Sequence, residues 1–324
     1  MATRKCIYCL NRNPDSVSHI IPECLGATLK LHNSVCSQCN HEIGKFEAKV
    51  CEDLHFYRWF LQLKTKGKIA TTEAELHIDG EMINVLLRKG LEPRSEFIRP
   101  MIKEDGSERY FKLISDNPDR LEKQFSKYFE KLGIKFDREN VKLTKIDFVF
   151  PGEKINISSD NFKRMAAKIA FERFAQKRYQ QAISSEFNHI RNYVKTGISE
   201  SPEPAFLIYE KNLVEKMLPI PFPTHGILIF GFNRIVASVV IVFGLFYYFI
   251  NLDRNAVVID KWEDFFCYDP IERKGFTPLY WSNPDHQNLL VAVRKSLMDP
   301  NAFTKANSYS REKFDGILQS RQIE

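Results

Sequence analysis

The chain has almost no cysteine beyond its first fifty residues: of seven in all, only Cys267 lies after Cys51. Seven cysteines in 324 residues are too few for a disulfide scaffold, and an odd number defeats full pairing. Charge of one sign is not in large excess either. The 47 Lys+Arg against 41 Asp+Glu leave a net +6, which permits an acidic partner without naming one. The opening MATRKCIYCLNRNPD holds no apolar run that would serve as a signal peptide, so a cytoplasmic protein is expected. There is no internal repeat, no low-complexity segment, no Gly-rich phosphate loop and no Ser/His/Asp elbow. These absences exclude a repeat array or a largely disordered chain, and leave no sequence signal for a P-loop nucleotide enzyme or an elbow-type hydrolase. What is present is an ordinary globular balance, 44% hydrophobic and 27% charged, with 26 Phe to fill a core.

The longest uncharged run, Ile235 to Ile250, is IVASVVIVFGLFYYFI. Its sixteen residues fall short of the roughly 17–20 that a membrane-spanning helix needs. Its β-branched and aromatic content, punctuated by Gly231, Asn233 and Gly244, reads as buried strands over about 227–232, 235–243 and 245–252. The alternative is a membrane or partner-docking segment over 227–252.

Elsewhere, residues 1–70 read as a cysteine-rich module with a helical run from Glu42 to Lys64. Two strands with an Asp79-Gly80 turn follow over 71–88, then a second hairpin at Asp105-Gly106, a helix over 121–132 and a strand over 145–150. A long helix is expected from about Ser158 to Tyr193, ending before Gly197, with a linker over 199–206. Trp262 to Tyr280 reads as irregular and aromatic, and a helix covers about 284–298. The class is therefore α+β: a module over 1–70, and a larger α+β domain over 71–324 for substrate binding, regulation or oligomerisation.

Cys6-Ile-Tyr-Cys9 and Cys36-Ser-Gln-Cys39 form two Cys-x-x-Cys knuckles with 26 residues between them. Four thiolates from two knuckles satisfy tetrahedral Zn²⁺ and leave no open position, so such an ion would be structural. Two matching pairs without a surrounding βαβ pattern argue against a redox motif. Cys24 and Cys51 lack knuckle spacing and read as core or partly exposed thiols.

Between the knuckles lies Ser18-His19-Ile20-Ile21-Pro22, with Leu25-Gly26 after it. The second knuckle sits in Val35-Cys36-x-x-Cys39-Asn40, followed by Ile43-Gly44-Lys45. This combination resembles the HNH endonuclease family, ββα-metal nucleases built on a treble-clef zinc fold, over Arg4 to Lys49, about a seventh of the chain. The resemblance implies a divalent-cation-dependent nuclease that hydrolyses phosphodiester bonds in DNA. His19 would be the general base, Asn33 would orient it, and Asn40 would help hold a catalytic Mg²⁺ or Mn²⁺. The residue before the base, usually an acidic or His ligand in that family, is here Ser18, which would contribute only a hydroxyl. Asp15, Glu23, His41 and Glu42 are nearby alternatives for the missing charge. The residue types suit the chemistry, since His is the side chain whose ordinary pKa suits water activation near neutrality and amide oxygen suits a hard cation.

DNA is thus the expected partner, with a protein partner or a homodimer as further candidates and no membrane. Defence against foreign DNA is compatible by fold-level analogy only. The rival readings are a non-catalytic nucleic-acid-binding zinc protein with a decayed site, and a docking protein through 227–252. Arg164, Lys168 and Arg178 fall within about 80° on the expected long helix and read either as a phosphate-tracking stripe or as an ordinary solvated face. Lys64 to Lys68 (KTKGK) is a second short basic patch. The aromatics from Trp262 to Tyr268 read as core before they read as a base-stacking platform.

Overall fold

The computed structural model describes residues 4–65, 157–199, 203–208, 218–232, 235–253 and 262–278, short strands between 68 and 149, and isolated positions in 123–131 and at 291. The chain divides into two compact units, Met1–Leu54 with Ile155–Glu324, and His55–Lys154. The second unit therefore interrupts the first in sequence, whereas the sequence reading drew its one boundary at residue 70.

The first unit opens with β1 (Ser16–His19), a 3-10 turn at Glu23–Leu25, β2 (Lys30–Val35) and α1 (Ser37–Asp53). β1 and β2 pair antiparallel, with Ser18 opposite Leu31 and His19 opposite Lys30. The helix begins five residues before the expected start at Glu42, because the knuckle itself forms its first turn.

The second unit holds α2 (His55–Phe60), β3 (Lys64–Thr65), β4 (Lys68–Ile69), β5 (Thr72–Ile78), β6 (Glu81–Leu87), β7 (Ile98–Ile102), β8 (Arg109–Leu113) and β9 (Phe148–Val149). Ile78 pairs with Glu81, leaving two residues for the connection expected at Asp79-Gly80, and Ile102 pairs with Arg109 across the second hairpin. Those connecting residues, the helix over 284–298 and most of that over 121–132 lie outside the described residues, as do the side chains from residue 65 to 70.

The first unit resumes with α3 (Asp160–Lys177), α4 (Tyr179–Ala182), a 3-10 turn at Ser185–Phe187 and α5 (Asn188–Thr196). The single long helix expected to Tyr193 is broken at Arg178, whose φ of −135° and ψ of 52° leave the helical region. α5 ends as read, with Gly197 in the left-handed conformation that closes a helix at least cost. Along α3 burial is nearly continuous from Met165 to Ala175, charged residues included. Neither reading of its basic stripe therefore holds: Lys168 is buried, and Arg164 donates to the carbonyls of Val194 and Lys195 while its guanidinium lies over the Phe46 ring.

β10 (Ala205–Leu207), β11 (His225–Phe232), β12 (Ile235–Val242), β13 (Phe246–Asp253), β14 (Trp262–Asp269) and β15 (Lys274–Phe276) form an antiparallel sheet in the order β10-β13-β12-β11-β14-β15. The apolar run is thus three strands, close to the expected bounds, and no helix among the described residues is long and apolar enough to cross a membrane. The segment read as irregular after Trp262 is instead a strand and a short hairpin partner. Its side chains alternate, with Phe265 and Cys267 in the cluster that includes Leu228, Phe230, Val239, Ile241, Tyr247 and Phe249. Asp264 lies on the opposite face, where Arg173 of α3 grips it through Nε at 2.7 Å and Nη2 at 3.1 Å. α3 therefore covers that face. With both faces buried, the strands read as unbroken apolar runs rather than as alternation.

β12 and β13 are joined by a tight turn in which Phe243 and Gly244 both have positive φ, 56° and 65°. Two successive left-handed residues are the pattern of the primed turns that match strand twist. A Cβ on Gly244 would lie 2.8 Å from the Ile220 carbonyl oxygen and 2.9 Å from Pro221. Both obstacles are backbone, so Gly244→Ala is expected to destabilise the protein by about 1–3 kcal/mol or more from strain alone. Urea denaturation with unchanged stability would contradict this account of the turn.

Candidate metal centre and the strand beside it

The Cys6–Cys9 knuckle is a turn closed by the Leu10 N–H donating to the Cys6 carbonyl at 2.9 Å. Cys36 immediately precedes α1 and Cys39 lies in its first turn. The four Sγ atoms all fall within 4.8 Å of one another, and those of Cys9 and Cys36 are 3.9 Å apart. A tetrahedron with Zn–S bonds of about 2.3 Å has edges of about 3.8 Å, so the donor set fits a metal ion such as zinc.

The electrostatics point the same way. A hydrogen bond from Cys39 pulls the Cys6 thiol down to about 4, against the opposing effect of burial, and the Cys36 N–H donates to the same sulfur at 3.3 Å. The Cys39 thiol is driven far up by that shared bond and then by burial. A central cation would offset the burial and the neighbouring Cys6 thiolate that hold the Cys36 and Cys39 thiols up. Zinc in that place would clamp the loop at Cys6–Cys9 to the start of α1. The four ligands would fill its coordination and leave it no chemistry to perform.

Asp15, one alternative for missing charge, is committed elsewhere. Its carboxylate accepts from the Ser37 N–H at 2.6 Å and the Ser37 hydroxyl at 3.1 Å, capping α1. Those bonds, the backbone one first, hold its pKa below the usual carboxylate value.

Asn40 sits one residue past the knuckle, and its Nδ2 donates to Ser16 Oγ at 2.8 Å and to the Val17 carbonyl at 3.2 Å. A carbonyl can only accept, so the nitrogen must face β1 and Oδ1 is left on the other side of the amide. Two residues on from Val17, the half-buried His19 imidazole has no hydrogen-bond partner among the described residues. Burial lowers its pKa below 6.5; Glu23 and Glu47 oppose this, while Lys30 and Lys168 reinforce it.

Asn33 is exposed in the bulged part of β2 with φ of 50°. Its carbonyl accepts from Arg4 at 3.4 Å, but no bond joins its side chain to His19. His32 and His41 are likewise exposed.

Ser18 points into the protein and is only 1% exposed. Its hydroxyl donates to Glu172 of α3, 2.8 and 2.9 Å from the two carboxylate oxygens. The Tyr8 hydroxyl donates to the same carboxylate at 3.0 Å. Lys168, one helical turn before Glu172, lies 3.2 Å from it and 2.9 Å from Glu47 of α1. The Lys168 ammonium also donates to the backbone carbonyls of His19 and Ile20. Lys168 and Glu172 are both fully buried.

One cation thus serves two carboxylates. Burial pushes the Glu172 pKa up to about 7, with Glu47 adding to the rise and Lys168 opposing it. Burial works against the Lys168 charge, but Glu172 and Glu47 outweigh it and leave the pKa raised.

Glu172 and Lys168 are the residues that sequence reasoning missed as parts of this site. A signal was present: in Met165-Ala-Ala-Lys-Ile-Ala-Phe-Glu-Arg-Phe-Ala175 the apolar residues surround the helix on all sides, so an i,i+4 charge pair inside it has nowhere exposed to go.

Cys24 and Cys51, read as free thiols, are disulfide-bonded with Cα atoms 6.0 Å apart, tying the turn after β1 to the end of α1. Knuckle spacing carries no information on such a long-range pair. The turn is held from the sheet side as well. His225 accepts from the Phe243 N–H through Nδ1 at 3.2 Å, so its Nε2 carries the proton and donates to the Leu25 carbonyl at 3.1 Å. Burial holds that imidazole neutral, with a pKa lowered to about 4. Tyr268 of β14 meets Thr28 at both its N–H and its hydroxyl, at 2.9 and 2.7 Å.

In comparisons with protein-family models, with curated proteins and with solved structures, none matches this chain.

Two outcomes are expected. The purified protein should carry about one zinc per chain by elemental analysis, and Cys39→Ser should lose it; a folded wild type with no bound metal after growth in zinc would contradict the metal site. Lys168→Met should destabilise the protein by about 3–5 kcal/mol in chemical denaturation, because the buried Glu172 and the partly buried Glu47 lose the cation between them.

Proposed function

We propose that this chain is an HNH-type endonuclease, a divalent-cation-dependent phosphodiester hydrolase acting on DNA, with 1–54 as a treble-clef ββα-metal module. The observation that carries the reading is the Asn40 amide, turned by its bond to Val17 so that Oδ1 is left on the other side, two residues along β1 from a His19 imidazole with no hydrogen-bond partner among the described residues. The first knuckle, the β1–β2 hairpin, and α1 with the second knuckle at its start follow one another in the order that a ββα-metal unit requires.

In this reading His19 removes a proton from the attacking water, a task that needs the neutral imidazole, and burial shifts its pKa down in that direction. Asn40 offers a hard oxygen ligand suited to Mg²⁺ or Mn²⁺. Such an ion, when bound, supplies the positive charge that neutralises the phosphate and assists the leaving oxygen. Ser18 takes a structural part, anchoring β1 to Glu172. Lys168 fixes the backbone at His19 and Ile20 from beneath.

One observation favours a second reading. Because Ser18 is committed to Glu172, the position that usually bears an acidic ligand gives the cation none. A non-catalytic DNA-binding protein with a decayed site follows if the cation does not bind.

The deciding experiment is cleavage of supercoiled plasmid with Mg²⁺, Mn²⁺ or EDTA. Cation-dependent nicking is expected, and His19→Ala should reduce it by about 10²–10⁴-fold while leaving zinc content and folding intact. No cleavage by the folded, zinc-loaded wild type under either cation would select the decayed-site reading. Because the working base is neutral His19 and burial lowers its pKa below 6.5, the rate should rise with pH, reach half its maximum below that value and then level off. A midpoint above 6.5 would assign the base to another group.

A further inference from the structure

α1, α3 and α5 enclose an open cleft of about 540 Å³ on the first unit, separate from the Asn40 side of α1. Its lining includes Lys45 and Lys49 from α1, Arg164 from α3 and Lys195 from α5, against one carboxylate, Glu42, with Phe46 among its walls. Four positive charges and one negative leave this small concavity with +3, half the net charge of the whole chain.

The charges differ in how they are used. Arg164 is spent on the end of α5, where it donates to the carbonyls of Val194 and Lys195, and on the Phe46 ring. Glu42 accepts from Gln38 at 3.1 Å. Lys45, Lys49 and Lys195 have no acidic partner among the described residues. Folding has gathered three ammonium groups from two helices far apart in sequence without an ion-pair partner among the described residues, and a concave wall with an excess of one sign concentrates its field.

We propose that this cleft is a phosphate-binding site that takes the phosphodiester backbone of the nucleic acid away from the cleavage site, with Lys45, Lys49 and Lys195 as its contacts. The inference rests on the reading of DNA as substrate. At 100° and 1.5 Å of rise per residue, Lys45 and Lys49 lie about 140° and 180° around α1 from Asn40 and about 7 and 13 Å along it, so the cleft meets a stretch of backbone on the far side of that helix. Lysine suits this task, since an ammonium on a flexible stem neutralises phosphate as a point charge without demanding a fixed geometry.

The test measures binding in full-length protein carrying His19→Ala, by anisotropy of a labelled 20-base-pair duplex over a salt series. The variants are Lys45→Ala/Lys49→Ala/Lys195→Ala and, as a control of equal charge on exposed positions elsewhere, Lys177→Ala/Arg273→Ala/Lys274→Ala. Loss of three phosphate contacts should flatten the slope of log K against log salt by about 2–3 and weaken binding about tenfold or more, with the control close to the parent.

Equal slopes in the cleft variant and the parent would overturn the proposal, as would equal losses in cleft variant and control. Tripolyphosphate provides the other arm. Tight binding of it that depends on the three lysines, with duplex binding indifferent to them, would assign the cleft to a small polyphosphate and also overturn the proposal. Plasmid cleavage is scored separately, so an inactive protein with a lysine-dependent salt slope would sink the nuclease reading and leave the cleft standing.

Discussion

A dry charge cluster holds the candidate site in place. Lys168 and Glu172 leave water completely, and they do so to grip groups on other elements: the backbone of His19 and Ile20, the Ser18 and Tyr8 hydroxyls, and Glu47 of α1. Burying ions in this way gains little net stability when the pair is compared with an apolar replacement. What it does secure is geometry. Each partner is a polar group that would itself be unsatisfied if β1 shifted, so the strand has one low-energy position against α3.

This arrangement changes how the first fifty residues should be regarded. Sequence alone presents them as a small self-contained unit, stapled by its own cysteines. In the fold, α3 is shared: one side supports β1, the knuckle at Tyr8 and the start of β2, while Arg173 and Phe174 meet Asp264 and Trp262 of the sheet. His225 and Tyr268 then hold the turn after β1 from the sheet itself. Ser18 belongs to this support. Its hydroxyl faces inward to an acid supplied by another helix.

What could be read from the sequence was what local pattern encodes. The four metal-type cysteines announce themselves by spacing, since both halves of each knuckle lie within one turn of chain. The three central strands show in the β-branched run from Ile235 and its glycine punctuation, and Gly197 marks the end of α5. The misses are contacts between distant segments. Nothing near Cys24 indicates Cys51, and nothing near Ser18 indicates Glu172. The strand at Trp262–Asp269 was hidden for a related reason: Glu263, Asp264 and Asp269 make it look like surface, yet Asp264 is neutralised by Arg173 from α3. At Arg178 the break follows no proline or glycine, so no local residue type advertised it.

The interruption of the first unit by residues 55–154 sets an order of assembly. On a ribosome, β1, the knuckles and α1 emerge first, and Glu172 follows Leu54 by 118 residues. At about 5–20 residues per second, the polar groups of Ser18, Tyr8 and Glu47 wait roughly 6–24 s for the helix that satisfies them. Throughout that interval the strand carrying His19 lacks the ammonium that fixes its backbone. The newborn N-terminal segment therefore remains without its finished site until the chain is more than half made, and a product truncated before α3 would never acquire it.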